Sequence, residues 1–152
     1  KKLSLRKGDI TEEVSVKIPA GISSGKKLRL AGKGLRSPYG GPAGDLYLNI
    51  QVLPHPIFSR DGDDLYVEKT VSFSQACLGT TIEVPTLGGT PKRMKVPPGT
   101  QSNTKIRMKG FGVPHLKGEG RGDQYVRIFV DVPRKLNARQ TELIKKLAEE
   151  GL

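Results

Sequence analysis

The sequence predicts an all-β fold made of two related copies of one module, followed by a short C-terminal α-helix. Residues 16–34 align without a gap on residues 94–112, at a constant offset of 78 residues. Within each copy, apolar and polar residues alternate over short runs that Gly and Pro interrupt, a pattern typical of half-buried strands. Helix-forming residues dominate only the last part of the chain.

The first module contains three alternating runs. Their apolar members are Val14, Val16, Ile18, Leu28, Leu30, Leu46, Leu48, Ile50 and Val52. Segments such as Pro-Ala-Gly and Gly-Lys-Gly separate the runs, and glycine allows the positive φ that tight turns require. Each run therefore predicts a strand with one apolar face.

The second module has two further strands before its core, at residues 63–73 and 80–87. The segment that joins them can form a helical turn ended by Gly79, and Cys77 within it is expected to pack as a small apolar side chain. Residues 1–6 match only the second of these strands. We therefore expect the sequence to begin inside its first repeat.

The end of the chain predicts a helix. Asn137 can cap it, with Gln140 three residues later completing a pair like a capping box. Leu143, Ile144 and Leu147 form its apolar stripe. A helix of about 13 residues is marginal alone, so the stripe needs a covering surface, either its own domain or a second chain.

The repeat divides the chain into a first β domain at 1–56, a second at 57–134 and a helical segment at 135–152. A single cysteine excludes an intramolecular disulfide and a cysteine-based zinc site, which is typical of a reducing compartment. No apolar run reaches the ~18 residues of a membrane span, and no signal peptide opens the sequence. We expect a soluble cytoplasmic protein without membrane contact.

The net charge is +11, from 26 basic and 15 acidic residues. Both modules are basic, whereas residues 61–90 carry one basic and five acidic side chains. Solvated strand faces account for most of this charge, but an anionic partner stays open. The candidate phosphate contacts are Lys26, Lys27, Arg29, Lys105 and Arg107.

No motif predicts catalysis. The segment 21–27 resembles a P-loop but has three residues between its glycines, and Lys27 stands where Ser or Thr would hold magnesium. The acidic turn at Asp61 has Ser72 where an EF-hand needs Glu. His55 and His115 stand among prolines without a ligand set. We expect no enzyme, no catalytic residue, no cofactor and no metal.

Five motifs together closely resemble the C-terminal half of DnaJ-type co-chaperones. They are VKIPAGISSGKKLRLAGKG, GDLYLNIQVLPHPIFSRDGDDLYVEKTVSFSQACLGTTIEVPTLGG, VPPGTQSNTKIRMKGFGVPHL, GRGDQYVRIFVDVP and KLNARQTELIKKLAEE, in the family order. The resemblance implies two tandem β-sandwich-like client-binding domains and a dimerisation helix. The J domain and the cysteine-rich zinc module are absent from the sequence, which indicates the zinc-free class.

The resemblance also implies the sites. Leu3, Leu5 and Leu48 would line a groove of the first domain that binds unfolded polypeptide clients. Lys1 and Lys2 at its rim would meet the acidic tail of a DnaK-type chaperone.

Two further implications concern partners. Leu143, Ile144 and Leu147 would form the contact of a homodimer. Some zinc-free members resemble curved-DNA-binding proteins, so a basic nucleic-acid-binding module is the alternative function.

Overall fold

The computed structural model describes residues 1–7 and 10–152 of the chain. In order, its elements are β1 (Lys2–Lys7), β2 (Ile10–Ser15), β3 (Lys27–Leu30), β4 (Leu46–Asn49), β5 (Ser59–Asp61), β6 (Asp64–Ser72), α1 (Phe73–Leu78), β7 (Thr80–Val84), β8 (Lys92–Val96), β9 (Thr104–Met108), β10 (Gln124–Asp131) and α2 (Ala138–Glu149). Strands predominate, and the predicted all-β fold with a short C-terminal helix is confirmed.

The described strands form four sheets. Three are antiparallel two-stranded ribbons that pair β1 with β2, β3 with β4 and β7 with β8. The fourth sheet has four strands in the order β5-β6-β10-β9. In the second module the core strand β10 therefore has a neighbour on each side, whereas its counterpart β4 pairs only with β3 among the described strands.

The chain forms two compact units. The first comprises Lys1–Val67, Thr86–Gly89 and Arg107–Val126, and the second comprises Glu68–Pro85, Thr90–Ile106 and Arg127–Leu152. The predicted domain limits follow the sequence repeat and not these two compact units. They are 1–56, 57–134 and 135–152, and they stay a prediction.

Each unit has its own apolar core. Buried side chains of the first unit are Val16, Ile22, Phe58, Leu65, Val67, Val113 and Val126. Those of the second are Val71, Ala76, Val84, Val96 and Ile128. Most of them are β-branched, as expected for residues that pack on a pleated surface.

The two modules repeat the same contacts at the same offset of 78 residues. Ser24 Oγ accepts from Val52 N at 2.8 Å, and Ser102 Oγ accepts from Val130 N at 3.1 Å. Likewise, the Gly25 N–H donates to the Ile50 carbonyl at 2.9 Å, and the Asn103 N–H donates to the Ile128 carbonyl at 2.6 Å. The sequence repeat is therefore a repeat of turn geometry as well.

The predicted helical turn before Gly79 is α1. Ser72 caps it, accepting from Gln75 N at 3.2 Å, and Gly79 ends it with φ of 83°. The expectation that Cys77 packs inside was wrong, because Cys77 is exposed. The short helix buries Ala76 instead, and the next residue lies about 100° further round the axis.

The C-terminal helix α2 begins and ends close to its predicted limits. Asn137 Oδ1 accepts from Gln140 N at 2.8 Å, and Gln140 Oε1 accepts from Asn137 N at 2.9 Å, which completes the capping box. The helix buries none of its residues: Leu143 is 56 % exposed and Ile144 is 44 % exposed. Leu147 is half-buried, so the apolar stripe is only partly covered on this chain.

Candidate functional site

The hairpin of β1 and β2 carries two of the predicted client-binding residues on one apolar face. Leu3 lies opposite Val14 and Leu5 lies opposite Glu12, and all four are half-buried. The side chains of the other face are exposed: Lys2, Ser4, Arg6, Thr11, Glu13 and Ser15. This separation follows from the alternation in the sequence, because successive strand residues point to opposite faces.

The third predicted residue, Leu48, lies in a different ribbon. It stands opposite Leu28 in the pairing of β3 and β4, and the next pair on the same face is Leu30 with Leu46. All four leucines are half-buried. They form a continuous apolar face that is neither sealed nor fully open to water.

One ion pair connects the hairpin to the segment that follows β3. Lys33 Nζ donates to the Glu12 carboxylate. Glu12 shares a face with Leu5, since the two residues are directly opposite in the register. The structure thus brings Leu3 and Leu5 together on one face and ties that face to the chain just after the ribbon that carries Leu48.

Both strands of the hairpin are edge strands in the described part of the chain. Among the described strands, β1 and β2 pair only with each other. The outer edge of each strand therefore presents backbone groups that no neighbouring strand uses. Such an edge is the template on which another extended chain can pair.

Lys1 and Lys2 stand at the start of this hairpin with exposed side chains. The Val16 N–H donates to the Lys1 carbonyl at 2.7 Å, which closes the open end of the hairpin. Lys2 points away from the face that carries Leu3 and Leu5, because side chains alternate along β1. An acidic segment bound to Lys2 would therefore lie on the outer face of the hairpin.

The second module does not present the same apolar face. The counterpart of Leu48, 78 residues on, is Val126, which is 0 % exposed. The hairpin of β7 and β8 ends on Val84, which is also 0 % exposed. The counterparts of Leu28 and Leu30, Ile106 and Met108, are half-buried like them, so the two modules differ in the burial of β4 and β10 rather than in that of β3 and β9.

Two arginines of the basic surface are paired with carboxylates. Arg29 Nε lies 2.6 Å from Asp45 Oδ2, and Arg107 Nε lies 3.2 Å from Asp123 Oδ2. Asp45 also accepts from Gly32 N at 2.9 Å. That backbone hydrogen bond, reinforced by Arg29, lowers the pKa of the Asp45 carboxyl against an opposing effect of desolvation. Arg29 and Arg107, two of the candidate phosphate contacts, thus already neutralise acidic neighbours.

Sequence reasoning missed the role of two polar loop residues. His115 Nδ1 lies 2.7 Å from Asp63 Oδ2, and His55 Nδ1 accepts from Ile57 N at 3.1 Å and from Phe58 N at 3.3 Å. No local motif predicts the contact between His115 and Asp63, which are 52 residues apart. In residues 1–7 and 10–152 no three His, Cys, Asp or Glu side chains are grouped to hold a metal ion.

Comparison with known proteins defines the class of this fold. A family model described as the DnaJ C terminal domain matches residues 1–133. The chain therefore belongs to the DnaJ C-terminal domain family, and the resemblance stated from its motifs is confirmed.

The relatives it resembles are chaperones by name. It is 47 % identical over 138 residues to the chaperone protein DnaJ of Leptospira biflexa, covering 91 % of this chain and 37 % of the relative. It is 48 % identical over 150 residues to the chaperone protein DnaJ 2 of Aquifex aeolicus, covering 93 % of this chain and 40 % of the relative. The chaperone protein DnaJ of Methanothermobacter thermautotrophicus is 51 % identical over 138 residues, and the match covers 91 % of this chain and 36 % of the relative.

The chain thus spans well under half the length of these relatives. Membership of the zinc-free class stays a prediction. Among the described residues, no helix combines the length and the apolar character that crossing a membrane requires.

Proposed function

We propose that this chain is a non-enzymatic, cytoplasmic co-chaperone region that binds unfolded polypeptides through its first module. The observation that carries the proposal is the position of Leu3 and Leu5. They are adjacent on one face of β1, half-buried, at a hairpin whose outer edges have no strand partner among the described residues. Membership of the DnaJ C-terminal domain family supports it.

The mechanism is strand addition. The backbone of the client pairs with a free edge of the hairpin, and its apolar side chains pack against Leu3 and Leu5, with Leu48 completing the groove. Backbone pairing does not depend on side-chain identity, so the site accepts many sequences. A folded protein satisfies its own backbone groups and therefore does not compete for the edge.

The contacts predict weak binding at a single site. Two buried apolar side chains of the client contribute about 1.5–3 kcal/mol each. Association costs at least ~4 kcal/mol in lost translational and rotational freedom. Hydrogen bonds along one short edge add about 1 kcal/mol each. The sum of these favourable and unfavourable terms corresponds to a dissociation constant in the micromolar range or weaker.

The direct test replaces one groove residue with a charge. Leu5→Asp places a carboxylate on the apolar face, and we expect at least about tenfold weaker binding, since about 1.4 kcal/mol corresponds to a factor of ten. Ser4→Asp is the matched control, because it adds the same charge to the opposite, exposed face. Binding of a fluorescently labelled unfolded peptide is measured by anisotropy, together with suppression of aggregation of a denatured protein.

The outcome separates the two faces of the hairpin. Binding that is lost with Leu5→Asp and kept with Ser4→Asp supports the proposal, provided that circular dichroism shows both variants folded. Binding that survives Leu5→Asp, or that both variants weaken equally, means that clients bind elsewhere.

Delivery of the client would involve a DnaK-type chaperone whose acidic tail contacts Lys1 and Lys2. Their exposed side chains and the basic start of the chain support this assignment. Lys2 points away from Leu5, so the part of the tail that it holds would lie on the face opposite the client. Lys1 has the same alternation as Leu3 and would hold the tail at the rim of the groove.

The partly covered stripe of α2 supports a homodimer, with Leu143, Ile144 and Leu147 at the contact. None of the three is buried on this chain, and an isolated short helix is marginal. A dimer would let one unfolded chain bind two weak grooves, and the second binding event would then be intramolecular.

The alternative function is binding of nucleic acid by the basic surface, as in proteins of the curved-DNA-binding type. The net charge of +11 favours it, whereas the pairing of Arg29 with Asp45 and of Arg107 with Asp123 speaks against it. The salt dependence of binding distinguishes nucleic-acid binding from peptide binding. Binding to phosphates falls by orders of magnitude between about 50 and 200 mM salt through counterion release, and apolar peptide binding stays nearly constant.

A further inference from the structure

Arg60 in β5 bonds to the first module through both terminal nitrogens of its guanidinium group. Nη1 donates to the Ile22 carbonyl at 2.9 Å, and Nη2 donates to the Gly21 carbonyl at 2.8 Å. A longer contact of Nη2 reaches Ser23 Oγ at 3.3 Å. Nε donates to the Gly62 carbonyl at 2.7 Å, which orients the side chain within its own hairpin. All these residues belong to the first compact unit.

The same turn of the first module packs closely on a loop of the second. A Cβ atom placed on Gly21 would lie 2.0 Å from the Pro114 carbonyl oxygen and 3.1 Å from Leu116 N. The counterpart of Gly21 in the second module is Gly99, which has nearly the same φ, 77° against 79°, but no atom within 4 Å of such a Cβ. The close approach is therefore specific to the junction of the modules and is not a requirement of the turn.

Asp63 joins Arg60 to that loop. Its Oδ1 lies 3.9 Å from Arg60 Nη2, its Oδ2 lies 2.7 Å from His115 Nδ1, and its backbone carbonyl accepts from Val113 N at 2.8 Å. The hairpin of β5 and β6, the loop at 113–116 and the turn at 21–23 thus meet around one arginine. Ile22 and Phe58 add buried apolar area from the two modules.

We propose that Arg60 is a positioning residue that locks the turn at 21–23 onto the second module. Two of its bonds end on backbone carbonyls of the first module, so they hold the main chain rather than a mobile side chain. The planar guanidinium reaches several acceptors in a fixed geometry, which a lysine cannot do. The parts of both modules that belong to the first compact unit then move as one body, and the proline-containing segment 53–57 does not act as a hinge. This inference does not depend on client binding.

The test measures the distance between one position in each module. Spin labels are attached at Lys27→Cys and Lys109→Cys in a Cys77→Ser background, since both lysines are exposed and lie in the first compact unit. Pulsed electron resonance gives the distance distribution. We expect one narrow distribution in the parent protein. With Arg60→Met we expect it to become at least about twofold wider, because a freed junction samples several arrangements.

Two controls exclude trivial causes of broadening. Arg29→Met removes an arginine from an ion pair inside the first module and is expected to leave the width unchanged. Gly21→Ala is compared with Gly99→Ala: both add strain at a positive φ, but only the first inserts a methyl group into the junction. We expect broadening with Gly21→Ala alone.

The results decide the proposal either way. Broadening with Arg60→Met and Gly21→Ala, but not with Arg29→Met or Gly99→Ala, supports a locked junction. A width that Arg60→Met leaves unchanged, or equal broadening by the two alanine variants, overturns it.

Discussion

The duplicated module contains a matched pair of glycines, Gly44 and Gly122, which differ in the space around their Cα atoms. A Cβ atom on Gly122 would lie 2.2 Å from the Asp63 carbonyl oxygen and 2.8 Å from Asp64 Oδ1. Its counterpart Gly44 would place a Cβ atom 3.8 Å from the Leu35 carbonyl oxygen, which is ordinary van der Waals contact. Neither glycine has a left-handed φ, so the two sites differ in space and not in backbone strain.

The geometry sets the magnitude of the expected effect. In Gly122→Ala the hairpin of β5 and β6 must move by about 1 Å, and overpacking of this kind costs ~1–3 kcal/mol. The shift also strains the bond between Asp123 N and Asp64 Oδ1, 2.8 Å long, which adds about 1 kcal/mol. Gly44→Ala instead restricts the unfolded chain and stabilises by ~0.4–1 kcal/mol. The two variants should therefore differ by about 2–5 kcal/mol in the free energy of unfolding.

Urea unfolding followed by far-UV circular dichroism measures this difference. With a slope of about 1–3 kcal/mol per molar urea, the midpoints should separate by roughly 0.7 M or more, with Gly122→Ala lower. Equal midpoints for the two variants would refute the reasoning, because they would mean that the β5–β6 hairpin does not pack on Gly122.

Two further predictions concern α2 and the Asp45 site. Leu147→Arg should halve the mass found by analytical ultracentrifugation, whereas Glu149→Arg on the polar face should not; an unchanged mass for Leu147→Arg contradicts the dimer contact. Because the hydrogen bond from Gly32 and the ion pair with Arg29 lower the pKa of Asp45, its stabilising effect is complete above the ordinary value of about 3.8 and is lost as the pH falls through the lower folded value. Asp45→Asn should therefore destabilise at neutral pH and matter least in strong acid; a carboxyl that titrates at its ordinary value by NMR contradicts this.

Much of the fold could be predicted from sequence because its signals are local. Alternating residues place β3 and β4, and the pair Asn137 and Gln140 marks the start of α2. The internal repeat adds information that a single copy lacks, since Ser24 and Ser102 make the same bond in both modules. A residue that stabilises its own turn therefore gives the same sequence signal in both modules.

Contacts between distant segments could not be predicted. Arg60 bonds to carbonyls 38 and 39 residues away, and backbone carbonyls have no sequence signature. Exposure of Cys77 could not be predicted either: its neighbours Ala76 and Leu78 are apolar, but they belong to a helix of only six residues, and Leu78 is itself exposed. The side of a short helix that faces the core depends on what packs against it.

In the candidate site, too, the sequence pattern predicts the strands but not how deeply their side chains are buried. The alternation around Leu48 and around Val126 is alike, yet one residue is half-buried and the other is fully sealed. The difference arises from neighbours: β10 lies between β6 and β9, whereas β4 pairs only with β3 among the described strands. A strand with an open edge and a half-covered apolar face is a liability for aggregation unless something binds it. Under the proposed function, this half-covered face of the first module is the surface that an extended apolar chain would cover, whereas the β5–β6 hairpin already covers the corresponding strand of the second module.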